Sequence, residues 1–326
     1  MTRLLRAMFT FGLLLCSFTA HNAHAQPDWP SKPIVIIVPY APGGFSDTRF
    51  RLLAKKLSEK FGQPVILDNK AGAGGVLGTA MMAKAAPDGY TLGVGSFAPL
   101  AINPALMKKI PYNITTDLAP VILIENSPLI LSVAKNLPVK SLSELIALAK
   151  KEPGKLTFGS SGLGGAHHLS GEMLRAEAKI DIVHVPYKGG APAATDLMAG
   201  HLSFMFEMGY AALPSIKAGL VKPIAVTSTK RLAALPDVPT MIEAGLGDYE
   251  SYNWQGVIVP AKTPPAIIAK LNKAFNEILK DPDVVKAISD VGSQAVGGSS
   301  EAFGKFILTE QEKWARVIKA ANIPKE

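Results

Sequence analysis

The chain has 326 residues, a formal net charge of +8 and one cysteine, Cys16. That length allows two globular lobes, and a single cysteine excludes a disulfide framework. The basic residues are scattered through "AKKLSEK", "MKK", "LAKK" and "STKR" without interleaved aromatics, which speaks against nucleic acid as a partner.

The first 25 residues read as an export leader. Arg3 and Arg6 form a positive start, "MFTFGLLLCSF" an apolar core, and "AHA" at Ala23 to Ala25 a cleavage signal before Gln26. Cys16 opens a lipoprotein alternative, and Leu15, where a small residue belongs, counts against it. Without the leader, 301 residues remain, none of them cysteine, and losing Arg3 and Arg6 lowers the charge to +6. No later apolar run is long enough to span a bilayer. A soluble exported protein with a mildly anion-favouring surface is expected.

Strands and helices then alternate. "IVIIVPY" is a continuous apolar run suited to a buried parallel strand. The elbow "APGGFSD" leads into a helix with Phe50, Leu53, Leu57 and Phe61 on one face. "PVILDN" is the next strand, "GGVLGTAMMAKA" a helix and "YTLGVGS" a strand. "SLSELIALAKKEPG" has Ser141 and Glu144 at capping-box spacing and ends at Pro-Gly. "KLTFGSSG" and "IVHVPYKG" are strands flanking the helix "AHHLSGEMLRAEAK"; the helix "APAATDLMAG" and the strands "LSFMFE" and "KPIAVTST" follow. "AIIAKLNKAFNEILK" and "SEAFGKFILTEQEKWARVIKAA" close the chain as amphipathic helices.

This alternation predicts α/β layers with parallel-rich sheets. The extended runs "APVILI" and "KPIAVTST" lack simple helix partners and are taken as crossings between two lobes. Residues 26–125 and 225–326 then form the first lobe, and residues 126–224 the second.

In such sheets, ligands bind where strand ends meet helix starts, facing unpaired N–H groups and the positive end of the helix dipole. Four glycine- or serine-rich elbows have this form, at Gly43–Gly44, Ser96, Ser160–Ser161 and Tyr187–Lys188. Two fall in each expected lobe, which suggests an anion gripped between them. Asp47 either holds the first elbow's N–H groups or favours the helix dipole. Other chemistries fit poorly. "GAGGVLG" has Leu77 where the third glycine of a dinucleotide fingerprint belongs, and the next strand ends without an acidic residue. No G-x-S-x-G frame surrounds Ser160 or Ser161. His168 and Glu172 share a helix face, but two ligands do not make a zinc site.

The stretches "VPYAPGGFSD", "AAPDGYTL", "AINPALMKKIPYN", "HVPYKGGAPAATDLMAGH", "AVTSTKRLAALPDVPTMIEAG" and "YNWQGVIVPAKTP" together resemble the periplasmic solute-binding proteins of tripartite tricarboxylate transporters, the Bordetella uptake gene family. The resemblance runs in order through nearly the whole mature chain. It implies a two-lobed venus-flytrap binding protein, periplasmic and non-enzymatic. A small organic carboxylate would be held by backbone N–H groups and waters, with no cofactor and no metal. Two integral membrane transporter subunits are the implied partners, and a monomer is expected. Ligand-presenting service to a sensor kinase, or an exported α/β hydrolase, are the alternatives.

By resemblance, Pro42, Gly43, Gly44 and Asp47 form the first pocket element. Ser160, Ser161, Gly162, Gly164, His168, Gly171 and Glu172 form the facing one, and Pro192, Ala193 and Asp196 match a third motif. The sequence departs from the family pattern at Phe45 and Ser46, at Phe97 and Ala98, and at Gly165, which leans the pocket towards aromatic or longer aliphatic carboxylates. The expected ligand-binding set is Tyr40, Pro42, Gly43, Gly44, Phe45, Ser46, Asp47, Ser96, Phe97, Ser161, Gly164, Gly165, Ala166, His168, Lys188 and Asp196.

Overall fold

A computed structural model describes residues 29–325; the expected leader at residues 1–25 lies outside the described residues. Strand β1 (Ile34–Val38) is nearly all buried, as an apolar central strand requires. It pairs in parallel with β2 (Val65–Asn69) on one side and β3 (Thr91–Ser96) on the other. Helix α1 (Phe45–Phe61) joins β1 to β2, burying Phe50, Leu53 and Leu57, and stops at Gly62 in the left-handed conformation. Helix α2 (Val76–Ala83) joins β2 to β3. Its Gly78 packs so close to the chain after β1 that a Cβ there would lie 2.7 Å from the Cα of Pro39. The glycines of "GAGGVLG" thus serve helix packing at Gly78.

Two short helices, α3 (Asn103–Leu106) and α4 (Ile114–Asp117), precede a 17-residue strand, β4 (Leu118–Ala134). Helix α5 (Leu142–Lys151) starts as its sequence predicts, with the Glu144 N–H donating to Ser141 Oγ. Glu144 reaches back to the N–H of Lys140, one residue before the usual capping-box partner. Next come β5 (Thr157–Ser160), α6 (Ala166–Ala178), β6 (Val183–Pro186), α7 (Gly190–Ala199), β7 (Phe204–Met208), α8 (Gly209–Lys217) and β8 (Val221–Val226). The chain ends with β9 (Tyr252–Pro260), α9 (Pro265–Ile278), α10 (Pro282–Ser289), β10 (Gln294–Ala295) and α11 (Ser300–Ala320).

The sheet order is β2-β1-β3-β9-β4-β7-β5-β6, with β8 and β10 also pairing with β4. Parallel pairing holds at both flanks, and the middle is antiparallel, because β9 runs back between β3 and β4. The first part of β4 pairs with β9 and β10, and the second part with β7 and β8. "APVILI" thus lies wholly in the first part of β4, and it is the 17-residue strand as a whole that runs from one sheet half into the other. "KPIAVTST" forms β8 and stays beside the second part of β4; the return runs through residues 227–251 into β9.

The core centres on aromatics. Trp254 and Trp314 are fully buried, and both indole N–H groups donate to Glu310 Oε2, at 3.0 and 2.9 Å. Phe97 meets both rings edge-on. Among the described residues, no helix is long and apolar enough to cross a membrane.

Candidate functional site

The first elbow leaves β1 at Val38 and turns at Gly43, whose φ of +79° is a glycine conformation. Asp47 organises the turn from behind. Its carboxylate accepts the Gly43 N–H at 2.9 Å, the Asn69 amide at 3.0 Å and two Arg51 donors at 2.9 and 3.0 Å. The Arg51 guanidinium holds the Asp47 carboxyl below the usual carboxylate range. Asp47 is thus spent on the loop. Gly44, in extended conformation, opens α1 with no side-chain cap. The first helical bond comes from the Thr48 N–H, so the N–H groups of Phe45, Ser46 and Asp47 precede the helical ladder.

A second elbow of the same design closes β5. Gly165 opens α6 without a side-chain cap, and the first helical bond comes from the Leu169 N–H. Ser161 Oγ and His167 Nδ1 are 2.8 Å apart. Burial pulls the His167 pKa down to about 4, so this ring is neutral at pH 7. The Gly164 N–H donates to His168 Nδ1 at 3.1 Å, and a Cβ at Gly164 would collide with Leu106. His168 itself is buried, stacked 3.9 Å from His184.

The two elbows open into one cleft of about 360 Å³. Ser96, Phe97 and Ala98 at the end of β3 line it, with Asn253, Trp254 and Gln255 of β9 and Met208 of β7. Tyr40 O–H and Ser96 Oγ lie 2.8 Å apart, and Asn253 Nδ2 donates to Met208 Sδ at 3.1 Å. Phe45 stacks on Tyr210 of α8, with ring centroids 5.7 Å apart, linking the two sheet halves at the cleft. Among the described residues, no Lys, Arg, Asp or Glu lines this space. Its electrostatics therefore come from two uncapped helix starts, hydroxyls and amides, set against aromatic walls.

Of the expected set, Tyr40, Pro42, Gly44, Phe45, Ser46, Ser96, Phe97, Ser161, Gly165 and Ala166 meet around the cleft. Gly43, Asp47, Gly164 and His168 stand behind it and shape the elbows. Lys188 and Asp196 are not among the lining residues, and the Asp196 carboxylate accepts the Tyr187 hydroxyl at 2.6 Å. The cleft also contains His167, Met208, Asn253, Trp254 and Gln255, which the elbow pattern does not predict. For Asn253, Trp254 and Gln255 the signal is the "NWQ" in "YNWQGVIVPAKTP", where two amides interrupt an otherwise apolar strand.

Ser161 and His167 have the spacing of a nucleophile and its base. A base with a pKa of about 4 is a poor proton acceptor at neutral pH. Among the described residues, no carboxylate bonds this histidine, and no group of three or more His, Cys, Asp or Glu could hold a metal ion.

A family profile described as "Tripartite tricarboxylate transporter family receptor" matches residues 49–323. Protein BugT of Bordetella pertussis is 38% identical over 320 residues, covering 98% of this chain and 97% of that protein. The solved structure of R. palustris Rpa4515 with adipate superposes with a TM-score of 0.81 at 35% identity, covering 92% of this chain and 100% of that one. MatC from Rhodopseudomonas palustris with bound malate gives 0.76 at 32%, covering 89% and 100%.

Proposed function

We propose, because the chain belongs to the tripartite tricarboxylate transporter receptor family, that it captures an organic carboxylate in the periplasm and delivers it to the membrane subunits of such a transporter. The family and the solved neighbours are solute-binding proteins, not enzymes. One observation carries the ligand class: two helices begin uncapped at the same cleft, and among the described residues no cationic side chain lines it. Unpaired N–H groups at helix starts bind anions, each charge-assisted bond contributing about 1.5–3 kcal/mol. Adipate and malate, found in the two neighbours, are both carboxylates. Phe45, Phe97 and Trp254 give the remaining walls an apolar, aromatic character that suits a ring or alkyl chain.

In this reading the leader at residues 1–25 is removed on export. Residues 26–125 and 225–326 form one lobe, residues 126–224 the other, and the cleft closes as the lobes approach. A thermal-shift screen over a carboxylate panel tests the assignment. A ligand at 100 times its Kd adds about 2.7 kcal/mol of apparent stability. A flat response across mono-, di-, hydroxy- and aromatic carboxylates refutes it.

A further inference from the structure

The cleft floor carries a row of polar residues that the elbows do not explain. Ser96, Gln255 and Glu125 are paired across β3, β9 and β4, so their side chains share one face of the sheet. All three are buried, Glu125 and Gln255 completely. Arg49, on α1 just behind the first elbow, donates through Nε to Glu125 Oε1 at 2.9 Å and through Nη2 to the carbonyl of Ala287 at 3.0 Å. Gln255 Nε2 donates to the same Glu125 oxygen at 2.5 Å.

This arrangement decides which end of the Gln255 amide is available. A carboxylate ion-paired with Arg49 can only accept, so the amide nitrogen of Gln255 must face it. The carbonyl Oε1 is left over. It is buried and has no hydrogen-bond partner, and neither has Glu125 Oε2. Gln255 lines the cleft, whereas Glu125 does not.

We infer that Gln255 is a specificity-determining residue whose locked carbonyl reads a hydrogen-bond donor on the ligand, a hydroxyl or an N–H carried in addition to the carboxylate. This rests on the carboxylate-receptor reading above and narrows it. A carbonyl repels a carboxylate oxygen and is left unpaired by a bare alkyl chain. Sites built to bond a substrate hydroxyl reject the analogue that lacks it, because the buried partner is then orphaned. Arg49 and Glu125 are the positioning residues: they hold the amide so that it cannot turn its nitrogen to the ligand.

The test is calorimetry with ligand pairs that differ by one donor: malate against succinate, 4-hydroxybenzoate against benzoate, and glutamate against glutarate. The wild type is expected to bind the donor-bearing member of at least one pair 10-fold or more tightly than its partner. Gln255→Met, similar in length and unable to hydrogen-bond, is expected to bring that ratio to within about 2-fold. If Gln255→Met fails to fold by circular dichroism, Gln255→Asn is read instead, since it withdraws the amide by one methylene and should collapse the same ratio. Binding without discrimination in the wild type, or a preference that survives in the folded variant, overturns this assignment alone. Binding of no carboxylate in the screen or in these pairs overturns the receptor reading, and this one with it.

Discussion

Removing either ring of the Phe45–Tyr210 stack should weaken ligand binding by loosening the closed cleft. The rings lie 5.7 Å apart at 17° and belong to segments on opposite sheet halves. Phe45 is half-buried and Tyr210 is 45% exposed, so each truncation also removes buried apolar area, and the coupling between the two variants isolates the pair term. Such a pair contributes about 0.5–1.5 kcal/mol beyond area, which corresponds to roughly 2- to 13-fold in Kd. If the stack exists only in the closed state, its whole value appears in affinity. Titration calorimetry on wild type, Phe45→Ala, Tyr210→Ala and the double variant, with a carboxylate identified by the thermal screen, gives a complete cycle. The double variant should lose less than the sum of the singles, with a coupling of about 1 kcal/mol. Additivity within about 0.3 kcal/mol would show that the rings do not act as a latch.

Other outcomes follow from the same geometry. Gly43→Ala should cost about 1 kcal/mol of stability and weaken binding, because its φ is +79°, whereas Gly44→Ala should leave folding intact, since an added Cβ meets only the Ala41 carbonyl, at 3.5 Å. Lys188→Ala should leave affinity within about 2-fold in the same titrations, as that residue does not line the cleft. Glu310→Ala should destabilise the protein by about 2–4 kcal/mol in urea unfolding, because it orphans two buried indole N–H groups, with Glu310→Gln retaining part of the loss. Burial pushes the Glu207 carboxyl up to about 7, so its folded form holds a proton that the unfolded chain has released. That stability is complete below about pH 4.5 and lost as pH rises through 7; Glu207→Gln should therefore stabilise by about 3 kcal/mol at pH 8 and far less at pH 5.

The sequence showed most clearly those features that local chemistry determines. Ser141 marks the start of α5, and Gly62 stops α1, because capping and left-handed turns involve only neighbouring residues. The elbows were readable for the same reason: a strand, a glycine pair and a helix adjoin in sequence. Which glycine bends was less clear, since the left-handed conformation falls to Gly43 and leaves Gly44 extended. Asn253 and Gln255 were hidden because β9 joins the cleft through pairings with β3 and β4 more than 120 residues away, and no local pattern encodes that return. Lys188 sits on an elbow of the right composition without reaching the cleft, and Asp196 lies in the helix that follows, where it bonds Tyr187. Helix α8 was obscured by Pro214 within it and by its immediate contact with β7.

The long strand β4 also has a consequence for how the chain is made. Residues 118–128 find their β9 partners only when residues 252–260 exist, so during synthesis that half of the strand is an open apolar edge. Pairings this distant in sequence are slow to form and expose the nascent chain to association with other chains. A chain cut before Tyr252 loses β9 altogether, so its fragments should aggregate instead of folding into a smaller receptor.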